Sequence, residues 1–327
     1  MSNGRHVSKS PCCYGIKLFV YAALLLALIT FLFLVRCSSL RKQLSDSSTD
    51  DSAVSVSSDV IASDLAGDIP NGYSAVVLDE SNISDGFLVL VNSDHAFDSS
   101  TVHTASVYEN KNGDYLVKDI YLSLDPHVIS SLNTWMSAFA EESGHRDVNV
   151  VAGYRSIDDQ QMLYDNAVRT KGQAHADRYL SLPGHSEHHT GLALDLSLYD
   201  VQNGTSSDFT GTGSYTWAEE HAWEYGFILR YPNSKSSITG IDYESWHYRY
   251  VGAPHACYMY QNDLCLEEYI DLLRSFPFDG DHLFVNCLGS RYEIYFCPGN
   301  IAIVPDTGEY LVSGNNVDGL IVTVTLD

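Results

Sequence analysis

Basic side chains are scarce in this chain: 18 Lys and Arg stand against 42 Asp and Glu in 327 residues. The scarcity is uneven. Residues 1–45 hold no acidic residue and six basic ones, Arg5, Lys9, Lys17, Arg36, Arg41 and Lys42. Beyond them 18 − 6 = 12 basic residues face 42 acidic ones, a net of 12 − 42 = −30. A surface that acidic repels phosphate backbones, which argues against nucleic acid as a partner. A Gly-x-Ser-x-Gly elbow is missing, as is the Ser-x-x-Lys motif set, so a serine nucleophile has no support. The Cys-x-x-Cys spacing of a thiolate zinc knot is missing too. No internal repeat is present.

Charge is absent altogether from Leu18–Val35, an 18-residue apolar run with basic residues on both sides. As a helix it would span about 27 Å, close to a bilayer core. A cleaved signal peptide has a shorter apolar region and an Ala-x-Ala site, and neither occurs here. Arg36 precedes Cys37 where a lipoprotein signal needs a small residue. The run predicts an uncleaved membrane anchor over residues 18–36, after a cytoplasmic tail over 1–17. Lys and Arg are equal on its two sides, so their count does not orient it. The long acidic part downstream is the more natural exported side. Residues 37–72, rich in Ser and Asp, read as a flexible tether.

Of seven cysteines, Cys12, Cys13 and Cys37 lie at the anchor. Cys257, Cys265, Cys287 and Cys297 lie late in the chain. An even set in an exported domain points to two disulfides. The Leu288-Gly289-Ser290-Arg291 turn favours Cys287–Cys297, and Cys257–Cys265 follows by elimination.

Periodicity gives the remaining plan. Phe87–Asn92 and the stretches within Ser106–Leu122 read as strands. Asp125-Pro126 starts a helix that Gly144 ends. Val148–Ser156 is a strand running into a turn, and Ser156 with Asp159 caps a helix through about Thr170. Gly191–Leu198 alternates strictly, with Leu192, Leu194, Leu196 and Leu198 on one face and Asp195 on the other. Thr216 with Glu219 reads as a second capping box. A helix over Leu264–Phe276 closes the domain that opens at residue 73, and a β-rich tail over 276–327 is appended to it.

Two segments carry the chemistry. Ser186–Asp195 offers a His and an Asp separated by six residues, and Glu244-Ser245-Trp246-His247 offers a Glu three residues before another His. Two imidazoles and a carboxylate make a three-ligand zinc site with an open fourth position. The remaining Glu244 is a candidate general base, and Arg155 a candidate for stabilising an oxyanion. In a strict strand Glu244 and His247 would point to opposite faces. Glu244 must therefore sit in the bend before the strand. His185 and His189 read as loop histidines bonded to backbone or water.

Ser186-x-His188-x-x-Gly191-x-Ala193-x-Asp195 followed by Glu244-x-Trp246-His247 resembles the VanY-type zinc D-alanyl-D-alanine carboxypeptidases, peptidase family M15, subfamily B. Gly153-Tyr154-Arg155-Ser156 with Gln160, Leu90-Val91-Asn92, and Tyr225–Pro232 also match. The resemblance covers about residues 85–270. It implies that His188, Asp195 and His247 bind Zn2+, that Glu244 is base and then acid, and that Arg155 holds the scissile oxygen or the substrate carboxylate. Ser186 and Gln160 would bind the substrate's terminal residue. The implied fold class is α+β: a central antiparallel sheet, flanking helices and a zinc-binding groove, here preceded by one transmembrane helix and followed by the β-rich tail. Residues 73–275 would form the peptidase domain. The implied reaction removes the terminal D-Ala from peptidoglycan stem pentapeptides, outside a bacterial cell membrane. The alternatives are an L,D-carboxypeptidase acting on tetrapeptides and a non-catalytic wall-binding module.

Overall fold

The computed structural model describes residues 69–97 and 102–326. These belong to one compact unit. The anchor expected over 18–36, the tail over 1–17 and most of the tether lie outside the described residues. Among the described residues no helix is long and apolar enough to cross a membrane.

The chain opens with β1 (Tyr73–Val77), β2 (Ala105–Ser106), β3 (Leu116–Val117) and β4 (Ser123–Leu124). Helix α1 (Pro126–Ser143) follows. Asp125 caps it by accepting from the His127 amide, Pro126 stands in its first turn, and Gly144 ends it at φ 76°. Then come β5 (Val148–Ala152), α2 (Ile157–Lys171) and α3 (Gln173–Tyr179). The Ser156 hydroxyl accepts from the Asp159 amide, as a capping residue must. Strands β6 (Ala193–Asp200) and β7 (Thr205–Asp208), helix α4 (Thr216–His221), and strands β8 (Phe227–Leu229) and β9 (His247–Tyr250) complete the first half.

These strands form a six-stranded sheet in the order β3-β5-β6-β9-β8, with β7 on β6. Only the short β3–β5 pair is parallel. The alternation in β6 does what the pattern demands: Leu194 and Leu196 are buried against α1, whose Leu132, Trp135, Met136 and Phe139 are fully enclosed. Trp135 stacks on Phe227 at 5.1 Å and donates its indole N–H to the Ala218 carbonyl. With the leucine face committed to the core, Asp195 is left on the opposite face.

Helices α5 (Ala253–Gln261) and α6 (Leu266–Leu273) lead into strands β10 (Leu283–Cys287), β11 (Ser290–Pro298), β12 (Ile301–Pro305), β13 (Glu309–Gly314) and β14 (Gly319–Leu326). Four of these make a second, antiparallel sheet, β10-β11-β14-β13. β12 pairs instead with β1, Tyr73 facing Pro305 and Val77 facing Ile301. A second apolar core lies between α5, α6 and the second sheet.

Several expectations change. Phe87–Asn92 forms no strand. It keeps the period-two burial of one, sending Val89 and Val91 into the first core and Leu88 and Leu90 into the second. Scattered partners replace a ladder: Arg249 donates to the Phe87 and Val89 carbonyls, the Ser313 hydroxyl accepts from the Leu88 amide, and the Asn315 carbonyl accepts from the Leu90 amide. Within Ser106–Leu122 only residues 106 and 116–117 are strand, and a helical turn covers Val107–Asn110. Thr216 is the first helical residue and makes no cap.

The expected disulfides are also absent; the four described cysteines are free thiols. Cys287 faces Ser290 at the turn, whereas Cys297 lies seven residues further along β11. At about 3.3 Å per residue that is some 23 Å, far beyond the reach of a disulfide. The Cys265 thiol accepts from the Glu268 amide at the start of α6, occupied as a cap and not joined to Cys257.

Candidate metal centre and substrate groove

Asp195 and His247 are direct partners on the neighbouring antiparallel strands β6 and β9. Cross-strand partners share a face, so register alone brings the two side chains together. His247 Nδ1 lies 2.8 Å from Asp195 Oδ1. His188 arrives from the helical turn Glu187–Thr190, which Gly191 ends at φ 73°. Its Nδ1 donates to the Gly153 carbonyl at 2.7 Å, leaving Nε2 aimed at Asp195 Oδ2, 3.4 Å away. Gly153 can offer that carbonyl because it carries no side chain: a Cβ there would lie 2.5 Å from the Ser123 oxygen.

The ligand atoms of His188, Asp195 and His247 all lie within 4.8 Å of one another. Atoms bound tetrahedrally to one zinc at its usual distances sit about 3.4 Å apart, so the donor set fits the ion. Burial raises the cost of the Asp195 charge, yet the two imidazoles hold its carboxyl far below the ordinary range. An ionised carboxylate between two imidazoles is the state a cation needs.

Glu244 lies in the bend before β9. Its amide donates to the Tyr231 carbonyl, and its Oε2 sits 3.9 Å from His247 Nδ1. Leaving the strand lets it share a site with His247, as alternation requires. Burial, with Asp195 and Glu187 nearby, pushes its carboxyl up to about 7, against the pull of His247 and Arg155. Arg155 stands in the turn between β5 and α2. Its Nη1 donates to Gln160 Oε1 at 2.7 Å, and Gln160 Nε2 donates to the Ser181 carbonyl at 2.7 Å. Burial lowers the guanidinium's pKa, opposed by Asp195, Asp159 and Glu244.

All seven residues singled out in the sequence line one cavity of about 230 Å³: Arg155, Gln160, Ser186, His188, Asp195, Glu244 and His247. A second cavity of about 260 Å³ shares Leu180, Ser181, Tyr231 and Ile241 with it, which extends the groove. His185 and His189 stay out of the metal cluster. Their Nδ1 atoms bond the Asn92 and Arg155 carbonyls, and His189 Nε2 accepts from the Gly184 amide.

The sequence reading missed what stands behind His247. Glu187 is fully enclosed, and its Oε1 accepts from Arg230 Nε at 2.7 Å and from Arg249 Nη1 at 2.8 Å. Burial opposes its charge, but the two guanidiniums hold its carboxyl well below the usual range. Its Oε2 faces His247 Nε2 at 3.6 Å, and both atoms lack a hydrogen-bond partner. A carboxylate behind the distal nitrogen orients an imidazole and raises its basicity. Arg230 is held in turn by both Glu267 oxygens. The signal was available: Arg230 and Arg249 are two of the 12 basic residues beyond position 45, and Arg249 shares a strand face with His247.

Three comparisons bear on these residues. A family model described as D-alanyl-D-alanine carboxypeptidase matches residues 122–253. A D-alanyl-D-alanine carboxypeptidase of Enterococcus faecium is 36% identical over 254 residues, 75% of this chain and 77% of that protein. Among solved structures, the vancomycin-resistance D,D-dipeptidase VanXYg, bound to a D-Ala-D-Ala phosphinate analogue, is 30% identical with a TM-score of 0.69. That likeness covers 78% of this chain and 99% of the other, so it extends past residues 85–270. The LdcB LD-carboxypeptidase is 33% identical with a TM-score of 0.50, covering 62% of this chain and 93% of that one.

Proposed function

The chain belongs to the D-alanyl-D-alanine carboxypeptidase family, and from that premise we propose that it is a zinc D,D-carboxypeptidase removing the terminal D-Ala of peptidoglycan stem pentapeptides. The observation that carries this reading is the Glu244 carboxyl, pushed up by burial, beside the His188–Asp195–His247 cluster in one cavity.

His188 Nε2, an Asp195 oxygen and His247 Nδ1 are the ligands in this reading. Zinc held there supplies a water acidified towards neutrality and polarises a carbonyl oxygen. Glu244 takes a proton onto its carboxylate from the attacking water and returns it to the departing amine. A base whose pKa lies near the working pH does both efficiently. Arg155 is the one Lys or Arg among the described residues lining the cavity. It pairs with the substrate's terminal carboxylate and with charge developing on the scissile oxygen. Gln160 fixes that guanidinium from behind, and the Ser186 hydroxyl completes the wall around the terminal residue. Glu187 keeps His247 turned with Nδ1 towards the cluster.

In this reading residues 73–275 are the peptidase domain and 276–327 its β-rich extension. The charge-free run over 18–35 supports a single-pass anchor over 18–36 with residues 1–17 in the cytoplasm. The tether then presents the domain to the wall outside a bacterial membrane. The likeness to an LD-carboxypeptidase makes bond choice the sharpest test. The full chain is incubated with a defined stem pentapeptide and with the tetrapeptide, and released D-Ala is measured. Release from the pentapeptide, lost with a chelator and restored by zinc, is the expected result. Release from the tetrapeptide alone would overturn the D,D assignment, and no release from either would overturn the enzyme.

A further inference from the structure

Cys257 and Cys287 come from distant parts of the chain and meet in the second core. Cys257 lies on the buried face of α5, and Cys287 is the last residue of β10. They are 1% and 3% exposed. Their surroundings are reciprocal. The Cys257 Sγ lies 3.8 Å from the carbonyl of Asn286, the residue before Cys287. The Cys287 Sγ lies 3.6 Å from the carbonyl of Ala253, one helical turn before Cys257. Each sulfur thus sits against the backbone that carries the other. Cys265 and Cys297 lie elsewhere, as a helix cap and as acceptor for the Ile303 amide, while the Cys257 Sγ also accepts from Gln261 Nε2 at 3.2 Å.

We infer that Cys257 and Cys287, separate thiols in this structure, are joined in the exported protein by a disulfide that fastens α5 to the appended sheet. The inference rests on the proposed placement of the domain outside the membrane, where disulfides persist. Two thiols lose two protons and two electrons, and one S–S bond forms. The oxidant is a second disulfide, reduced to two thiols by exchange. In the folded state burial, and then the hydrogen bond its own thiol donates to Cys257, push the Cys287 thiol up to about 12. Thiolate is therefore scarce once the chain has folded, so closure belongs to folding.

The experiment maps the cysteines of the full chain. Protein taken from membranes is denatured without reductant, alkylated, digested and weighed. A linked pair of peptides carrying Cys257 and Cys287, with Cys265 and Cys297 alkylated, is the expected result. In a second arm, the reduced chain is refolded in detergent with reduced and oxidised glutathione. That arm does not depend on which side of a membrane the domain occupies, so it separates failure of the cross-link from failure of the localisation. The same linked pair is expected there. Alkylation of both cysteines after the second arm, or any other pairing, would overturn the inference. Reduction should lower Tm by about 10 °C, from the entropy of the opened loop. The Cys257→Ser/Cys287→Ser variant should lose this dependence on reductant, and the Cys265→Ser/Cys297→Ser variant should keep it.

Discussion

The two sheets enclose different kinds of interior. Behind the strands that carry Asp195 and His247 lie Glu187, Arg230 and Arg249, all fully enclosed and all charged. Inside the appended sheet lie Ile294, Tyr295, Ile321 and Val322, with the few polar groups paired: Ser313, Thr323 and His255 each have partners. The buried side-chain atoms left without partners among the described residues are Asp147 Oδ1, Glu187 Oε2, His247 Nε2 and Tyr248 Oη, all in the first half. Native interiors rarely tolerate such orphans without a use for them. Here two of them face each other behind His247, a proposed metal ligand. The half with the proposed ion site keeps charge inside, and the half that only packs does not.

Four measurements can break or sharpen that contrast. The largest effect is expected from Glu244→Gln, which keeps shape and removes the base. The kcat should fall by roughly 10³-fold or more, about 4 kcal/mol of transition-state stabilisation, while zinc content measured by mass spectrometry stays the same. Arg249→Ala comes next. It strips Glu187 of one guanidinium and the Phe87 and Val89 carbonyls of their donor. A stability loss of about 3–5 kcal/mol in urea unfolding is expected, together with weaker zinc binding.

The third concerns the appended half and pH. Burial pushes His255 down to about 3, and it is held neutral between the Tyr269 hydroxyl and Thr323 of β14. The unfolded chain takes up a proton near pH 6.5 that the folded chain refuses. The stability is therefore complete above about pH 6.5 and is lost as pH falls towards 3. By pH 4 the loss is about 3 kcal/mol. Urea midpoints of the wild type should fall over this range with a slope that His255→Asn removes. The smallest effect is expected from Leu311→Ser on the outer face of β13, where the leucine is 64% exposed. A change within about 0.5 kcal/mol in thermal unfolding would fit a surface residue with no hidden partner.

Much of the site was legible because it is written in local pattern. The leucines of Gly191–Leu198 fixed which way Asp195 points. The three-residue spacing of Glu244 and His247 required a bend, and the structure has one. The caps at Asp125 and Ser156 placed α1 and α2. What escaped notice depends on partners distant in sequence. Glu187 reads as an ordinary surface carboxylate until Arg230 and Arg249, 43 and 62 positions later, fold around it. Phe87–Val91 alternates like a strand, but its backbone partners are Arg249, Ser313, Asn315 and Asn316, all distant in sequence. The cysteine reading failed for the same reason: a turn between two cysteines speaks of the hairpin, not of which faces its strands present.

The β1–β12 ladder has a mechanical consequence. Tyr73, where the described chain first enters a strand, is clamped to Pro305 across an antiparallel ladder of five residues. Tension arriving along the backbone from the N-terminal side is thus borne by the C-terminal strands. A pull must first strip β1 from β12 before it reaches β5, β6 or β9. The appended strands act as a strain relief, and the three residues that would grip the ion can hold their spacing while the chain upstream is tugged.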